Sequence, residues 1–281
     1  MKIEVKNISY KYDKYDKSKN YDIKNISIDI FDNDYLAIIG ESGSGKSTFV
    51  QHLNGLIKSD VGDILIDGES IYSKNYDLQK LKFKIGLVFQ YPEYQFFEET
   101  VIADVSFGAI NMGINKIDAI TKSKEVLKLM GVSEECFNKF PFVLSGGEKR
   151  KVAIAGILVM NPDILILDEP QAGLDPESKI ELFNILSKLH KKGKTIILIT
   201  HNMEDVVENA KRVAVFKSGE LIKTDTVLNI FNDKNLLEYA NIILPEQIDL
   251  IKKLKQKYNK FDENKIKEIE IIEEIKNNIK L

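Results

Sequence analysis

The sequence predicts an α/β protein with a mixed, mostly parallel sheet, an inserted α-helical subdomain and a C-terminal helical extension, and three observations carry that prediction. Buried-strand runs at Tyr35–Ile39, Asp63–Ile66, Ile85–Phe89, Ile164–Leu167, Thr195–Ile199 and Arg212–Phe216 recur along the chain, several followed by helix-period stretches. Between Gln90 and about Gly156 only helical patterns occur (Val101–Ile110, Ile117–Met130, Glu148–Met160), interrupted by loops carrying Pro92, Gly113 and Pro141. After about Phe231 the chain turns Lys-, Glu- and Ile-rich. There Ile248, Ile251, Leu254 and Tyr258, then Ile266, Ile269, Ile272, Ile275 and Ile279, fall at helical spacing.

The N-terminal residues alternate apolar and polar (Ile3, Val5; Ile26, Ile28, Ile30) around the polar segment Asp13–Asp22, which reads as two strands and a loop. Tyr35–Ile39 then forms a buried strand that stops at Gly40. Neither internal repeats nor true low complexity precede the tail.

Composition narrows the function. With 281 residues and 43% apolar content the chain buries a sizeable core. Its 40 basic and 43 acidic residues leave a net charge of −3, so no global basic field argues for nucleic acid or an anionic lipid surface. The longest apolar run, Val152–Met160, is less than half of the roughly 20 residues a membrane-spanning helix needs, and the N-terminus has no signal-like apolar region. The expectation is a chain that neither crosses a bilayer nor is exported, with any membrane link made through a protein. The single cysteine, Cys136, has no disulfide or CxxC partner and fits a reducing, cytosolic setting as an inert helix-end residue.

Gly40-Glu41-Ser42-Gly43-Ser44-Gly45-Lys46-Ser47 spells a P-loop, directly after a strand and before the helix-forming run from Thr48 to Leu53. Glycines let backbone N–H groups curl around phosphates and the helix N-terminus adds its positive end. Lys46 reaches the β/γ oxygens and Ser47 can ligate Mg²⁺. Ile164–Leu167 runs into Asp168 and Glu169. This places one carboxylate beside the P-loop serine as a metal-side acid and the next as the general base for water. Taken alone, two acids before Pro170 would be an ordinary strand cap; a P-loop in the same chain changes that reading. In Leu144-Ser145-Gly146-Gly147-Glu148-Lys149-Arg150, Ser145 can cap a helix and two glycines expose N–H groups, a second phosphate-binding helix terminus.

Together these strings resemble the ATP-binding-cassette (ABC) ATPases, and the resemblance covers residues 1 to about 230. It implies an ATPase domain over 1–231 with its helical subdomain at about 91–157, and a dimer-contact extension over 232–281. A solvated amphipathic tail is the other account of that extension. In that family the signature serves the ATP on the partner's P-loop, so Ser145, Gly146 and Gly147 would complete the other subunit's site, with Asp175 of Ala172-Gly173-Leu174-Asp175 communicating across the dimer. Tyr12 resembles the aromatic that stacks on adenine, with Tyr10 competing for the role. Gln90 resembles the glutamine that touches Mg²⁺ and the attacking water, and His201 the switch histidine at the γ-phosphate. The implied cofactors are ATP and Mg²⁺, with Ser47, Gln90 and Asp168 as metal-side groups. Gln171 and Glu148 depart from the family's commoner threonine or serine and glutamine, and neither removes a required group.

Val88-Phe89-Gln90-Tyr91-Pro92-Glu93-Tyr94-Gln95-Phe96-Phe97-Glu98-Glu99-Thr100-Val101, Asp104–Gly108 and Lys151–Met160 are similar to the energy-coupling-factor (cobalt/vitamin importer) branch, second-ATPase type. That resemblance implies a subunit that energises import of vitamins or transition-metal ions. Its partners would be a second related ATPase, a transmembrane coupling protein and, indirectly, a membrane substrate-binding subunit. It would sit peripherally on the cytoplasmic face of the membrane. Tyr91–Phe97 either docks the coupling protein or packs the helical subdomain. A soluble ABC ATPase acting on nucleic acid or the ribosome, or a homodimeric cobalt or nickel importer ATPase, are the rival readings.

Overall fold

In the computed structural model, which describes residues 1–14, 21–258 and 261–278, the strands divide between two sheets. Strands β1 (Ile3–Tyr10), β2 (Ile23–Ile30), β3 (Tyr35–Ile39), β4 (Val61–Ile66), β5 (Glu69–Ser70), β6 (Ile85–Val88), β7 (Ile164–Asp168), β8 (Thr195–Ile199), β9 (Arg212–Lys217) and β10 (Glu220–Thr226) follow in chain order. The six-stranded sheet has the order β10-β9-β3-β8-β7-β6 and is parallel except for β10. The smaller sheet, β2-β1-β4-β5, is wholly antiparallel.

The six-stranded sheet is the mixed, mostly parallel one expected from the sequence, and the antiparallel sheet is an addition to it. Strands β3, β7 and β8 are buried along their whole length, as parallel strands covered on both faces must be, whereas β2 alternates buried and exposed positions as an antiparallel strand with one wet face does. Val61–Ile66 joins this second sheet, its first two residues exposed. Neither β5 nor β10 was foreseen. Both are polar, and β10 is a half-exposed edge strand with no buried apolar run to betray it.

The helices are α1 (Lys46–Leu53), α2 (Leu78–Lys84), α3 (Val101–Asn111), α4 (Lys116–Leu129), α5 (Gly146–Leu158), α6 (Pro176–Lys191), α7 (Met203–Asn209), α8 (Val227–Asn232), α9 (Lys234–Ala240), α10 (Glu246–Lys257) and α11 (Glu268–Asn278). The pleat of β3 sorts the core into two. Leu36 and Ile38 face a layer made of the antiparallel sheet and α1, with Phe49 and Leu53, while Tyr35, Ala37 and Ile39 face the layer that holds most helices. Helices α3, α4 and α5 lie between β6 and β7, neighbours in the sheet. Thr100 and Asn115 cap α3 and α4 through the N–H groups of Ala103 and Asp118.

The tail packs onto the domain. Ile248, Ile251, Phe261 and Ile271 join the helical-side core, while Ile269 and Ile272 stay exposed; Ile279 lies outside the described residues, as do 15–20 of the polar N-terminal loop. No helix among the described residues is long and apolar enough to cross a membrane. Cys136 is buried, and burial pushes its thiol pKa up, as suits an inert position.

Candidate nucleotide site

Four neighbouring strands release their chains at one edge of the sheet. In register, Ile38 of β3 lies beside Ile199 of β8, Ile199 beside Asp168 of β7, and Leu167 beside Val88 of β6. Gly40, Glu169, His201 and Gln90 therefore emerge together at the carboxyl ends of the strands, where open α/β sheets bind ligands.

The P-loop is wrapped too tightly for side chains. At Gly40 (φ 145°) a Cβ would lie 2.1 Å from the Phe216 carbonyl oxygen, and at Gly45 (φ 95°) it would lie 2.8 Å from Ile23 Cγ2. Lys46 is folded back, its ammonium donating to the carbonyls of Gly40 (2.9 Å) and Glu41 (2.7 Å) and to Ser44 Oγ (3.4 Å). Burial lowers its pKa, with the carboxylates of Glu169 and Asp168 acting the other way. A cleft of about 580 Å³ opens over Gly40, Ser42, Gly43, Gly45, Lys46, Ser47 and Thr48, and Gln90, Asp168, Glu169 and His201 complete its wall. Glu41 and Ser44 shape the loop from outside that wall.

Asp168 is buried. Burial raises its pKa, against a hydrogen bond to Ser47 and the charge of Lys46. Glu169 takes φ 47°, a left-handed conformation that costs an L-residue roughly 1–2 kcal/mol. That conformation turns its carboxylate toward two partners. Gln90 Nε2 donates to Oε2 at 3.0 Å, and His201 Nδ1 lies 3.2 Å from Oε1. Its N–H donates to Ile199 O at 3.0 Å, which holds the strained backbone in place.

The residues present fit a magnesium ion. The Ser47 hydroxyl and the Asp168 carboxylate are already hydrogen-bonded to each other, and the Gln90 amide lies on the same cleft: hard oxygen donors of the type Mg²⁺ prefers. Among the described residues no cluster of three or more His, Cys, Asp or Glu could hold a metal.

Tyr12 stands beside the cleft, 54% exposed, its hydroxyl 3.4 Å from Gln51 Oε1 and 3.5 Å from Thr48 Oγ1 on α1. Tyr10 is more enclosed, its ring edge-on to both Tyr12 and His52 at 5.0 Å.

Ser145, Gly146, Gly147 and Asp175 do not line this cleft. Ser145 caps α5 in a reciprocal capping box with Glu148. Asp175 caps α6, accepting from Ser178 N (2.9 Å) and Ser178 Oγ (2.7 Å). A Cβ on Gly147 would meet that Ser178 Oγ at 2.8 Å, so the two motifs abut within one chain, neither of them on the wall of the cleft.

Sequence reasoning missed Tyr21, Asp22, Ser218 and Gly219, which also line the cleft. Gly219 N donates to Ser44 O at 3.2 Å, so the β9–β10 turn buttresses the P-loop. The Ser218-Gly219 dipeptide was the available turn signal.

Comparison with known proteins gives the same picture. The family model described as "ABC transporter" matches residues 23–172, and a shorter match over 141–204 is to an AAA domain described as a putative AbiEii toxin. Energy-coupling factor transporter ATP-binding protein EcfA2 of Acetivibrio thermocellus is 42% identical over 276 residues, 98% of each chain. The protein of that name from Ligilactobacillus salivarius is 45% identical over 257 residues, 90% of this chain and 89% of that relative. Among solved structures, CbiO1 of Clostridium perfringens, part of the ABC transporter complex CbiONQ, superposes with a TM-score of 0.73 at 37% identity, covering 89% of this chain and 98% of that one. The dimeric post-hydrolysis state of the ATP-binding cassette MJ0796, bound to ADP and Pi, gives 0.72 at 29% identity, covering 80% and 98%.

Proposed function

The chain belongs to the ABC transporter ATPases, as an ATP-binding, ATP-hydrolysing subunit of an energy-coupling factor transporter, and from that premise we propose which of its residues perform hydrolysis and what it docks. The observation that supports the assignment is the Glu169 carboxylate. It is held between Gln90 and His201 and faces the cleft that also presents Lys46 and the Ser47–Asp168 pair.

Glu169 is the general base for the attacking water; Gln90 and His201 each engage one of its two oxygens and leave the remaining lone pairs to accept the water's proton. Lys46 exchanges the carbonyls of Gly40 and Glu41 for β/γ-phosphate oxygens, and the N–H groups at the start of α1 hold the phosphates. Ser47, Asp168 and Gln90 would hold Mg²⁺, which when bound neutralises charge on the phosphates. Tyr12 stacks on adenine.

The subunit works with a paired ATPase and a membrane component. Ser145, Gly146 and Gly147 of each cassette complete the partner's site and Asp175 reports across the interface, in keeping with their position off the cleft. The second ATPase is unlike this one, and residues 232–281 add to the contact, offering the exposed Ile269 and Ile272. The membrane coupling protein docks on the helical layer beside Gln90. There an apolar groove of about 270 Å³ between Pro92–Phe97, α3 and α5 leaves Tyr94 (80%) and Phe97 (61%) exposed. Cargo, a vitamin or a transition-metal ion, is chosen by a separate membrane subunit, and this chain sits on the cytoplasmic face.

Two measurements test the proposal. Glu169→Gln should leave ATP binding intact and slow turnover by roughly 10²–10⁴-fold; normal turnover would remove Glu169 from the role. Mild-detergent purification with mass spectrometry should return an unlike ATPase and a multi-spanning protein. A homodimer with a membrane protein would favour the cobalt- or nickel-type importer, and a ribosome or nucleic acid in their place would overturn the docking proposal.

A further inference from the structure

We infer that Gln171 is a positioning residue for His201, reaching across the end of the sheet to hold the loop that carries the histidine; the inference rests on the role proposed above for His201. Gln171 follows Glu169 by two residues and is buried, 9% exposed. Its Nε2 donates to Thr200 Oγ1 at 2.8 Å, and Thr200 is fully buried. Thr200 directly precedes His201, and the same Oγ1 accepts the N–H of Asn202 at 3.0 Å. Asn202 in turn caps α7 through the N–H of Asp205 at 2.9 Å.

These bonds close a ring. From the Glu169 carboxylate it passes to the His201 ring at 3.2 Å, along the chain to Thr200, across the hydrogen bond to Gln171, and back through Pro170 to Glu169. A second tie, Glu169 N to Ile199 O at 3.0 Å, joins the same two segments next to the ring. With both backbones fixed, the exposed His201 ring has its base anchored while the contact to Glu169 restrains its tip. A shorter residue at 171 could not make the span, since the amide extends from the turn after β7 to the loop after β8. Gln171 does not line the cleft, so its side chain acts on the chemistry through Thr200 and His201 or back along the chain to Glu169, and a His201→Ala background separates the two.

The test is steady-state ATP hydrolysis by the full chain purified with its partners. Gln171→Ala is expected to lower kcat roughly 5-fold, the scale of one neutral hydrogen bond, with the ATP half-saturation concentration unchanged within about twofold. Thr200→Val, which keeps the shape but removes the acceptor of both the Gln171 amide and the Asn202 N–H, is expected to lose at least as much, and the double variant to be no slower than Thr200→Val alone. On a His201→Ala background, Gln171→Ala is expected to add nothing. An unchanged kcat in both Gln171→Ala and Thr200→Val, a loss confined to half-saturation, or an equal loss with His201 already removed would overturn the inference. If His201→Ala itself turned over normally, the role of His201 would fall and this inference with it, an outcome distinct from a slow His201→Ala beside a normal Gln171→Ala. Thermal midpoints of the variants separate a folding defect from a catalytic one.

Discussion

The guanidinium of Arg150 lies against the carboxylate of Glu93, with Nε 3.1 Å from Oε2 and Nη2 3.2 Å from Oε1, and the arginine side chain is 3% exposed. The same guanidinium donates to the carbonyls of Pro170 (3.2 Å) and Ala172 (3.0 Å) and sits 5.6 Å from the Tyr91 ring centroid. One residue of α5 thus grips the segments that follow both Gln90 and Glu169, next to the two left-handed residues Tyr91 and Glu169. Arg150→Ala would leave a largely buried carboxylate and two carbonyls without a donor, and should destabilise the fold by about 3–5 kcal/mol in denaturant unfolding. Arg150→Ala with Glu93→Ala should cost less than Arg150→Ala alone, because the uncompensated charge is gone. Arg150→Lys should fall between, restoring charge without the planar fork.

Tyr12 and Tyr10 should separate in nucleotide affinity. Tyr10 is the more enclosed, its ring in T-shaped contact with both His52 and Tyr12, while Tyr12 is half-exposed above α1. Tyr12→Ala should weaken equilibrium ATP binding by about 0.5–1.5 kcal/mol, up to roughly tenfold, and Tyr12→Phe should change it less than twofold. An equal loss for Tyr12→Phe would move the interaction from the ring to the hydroxyl.

Legibility in the sequence followed what chemistry has to spell out. Glycines, a lysine and strand-end acids at fixed spacing mark Gly40–Thr48, Asp168 and Glu169 in the sequence, and all of these but Glu41 and Ser44 line one cleft. Buried parallel strands such as β7 and β8 announced themselves as unbroken apolar runs. What stayed hidden depends on pairing rather than composition. Separation of β1, β2 and β4 into their own sheet is a matter of hydrogen-bond partners, and β10 pairs only at an edge through polar residues. Ser218 and Gly219 reach the cleft because β10 folds back there, so the dipeptide signals the turn in the sequence without saying that the turn meets the cleft.

Acid should weaken the fold through His52. The ring is buried, its Nδ1 lies 2.7 Å from the Thr48 carbonyl and so carries the proton, and Nε2 meets no hydrogen-bond partner among the described residues. Burial lowers its pKa below the ordinary 6.5, against the Thr48 carbonyl and the Asp60 charge. The unfolded chain therefore takes up this proton first. The contribution to stability is complete above about pH 6.5 and is lost as the pH falls below that value toward the folded pKa. Unfolding free energies measured across this interval should fall for the natural chain and fall less for His52→Leu, which has nothing to titrate. Parallel slopes would show that other groups dominate the acid limb.

Glu148 should set how much ATP the paired cassettes need. Its Oε2 accepts from Ser145 N at 3.0 Å and from Ser145 Oγ at 2.8 Å, and these bonds to Ser145 hold the carboxyl below the usual carboxylate range, so it is charged at neutral pH. A carboxylate at this helix start satisfies the macrodipole, yet it occupies the two donors proposed to meet the partner's γ-phosphate and carries the phosphate's own sign. Glu148→Gln retains the capping box, since an amide oxygen can accept the same two bonds, and removes only the charge. ATP half-saturation of the assembled complex should fall a few-fold, on the order of 1 kcal/mol or less, and the difference should shrink as salt screens the repulsion. The variant itself should lose about 0.3–1 kcal/mol of fold stability from the weakened helix-end interaction. An unchanged or raised half-saturation at low salt would mean that the carboxylate is clear of the phosphate's path and serves α5 alone.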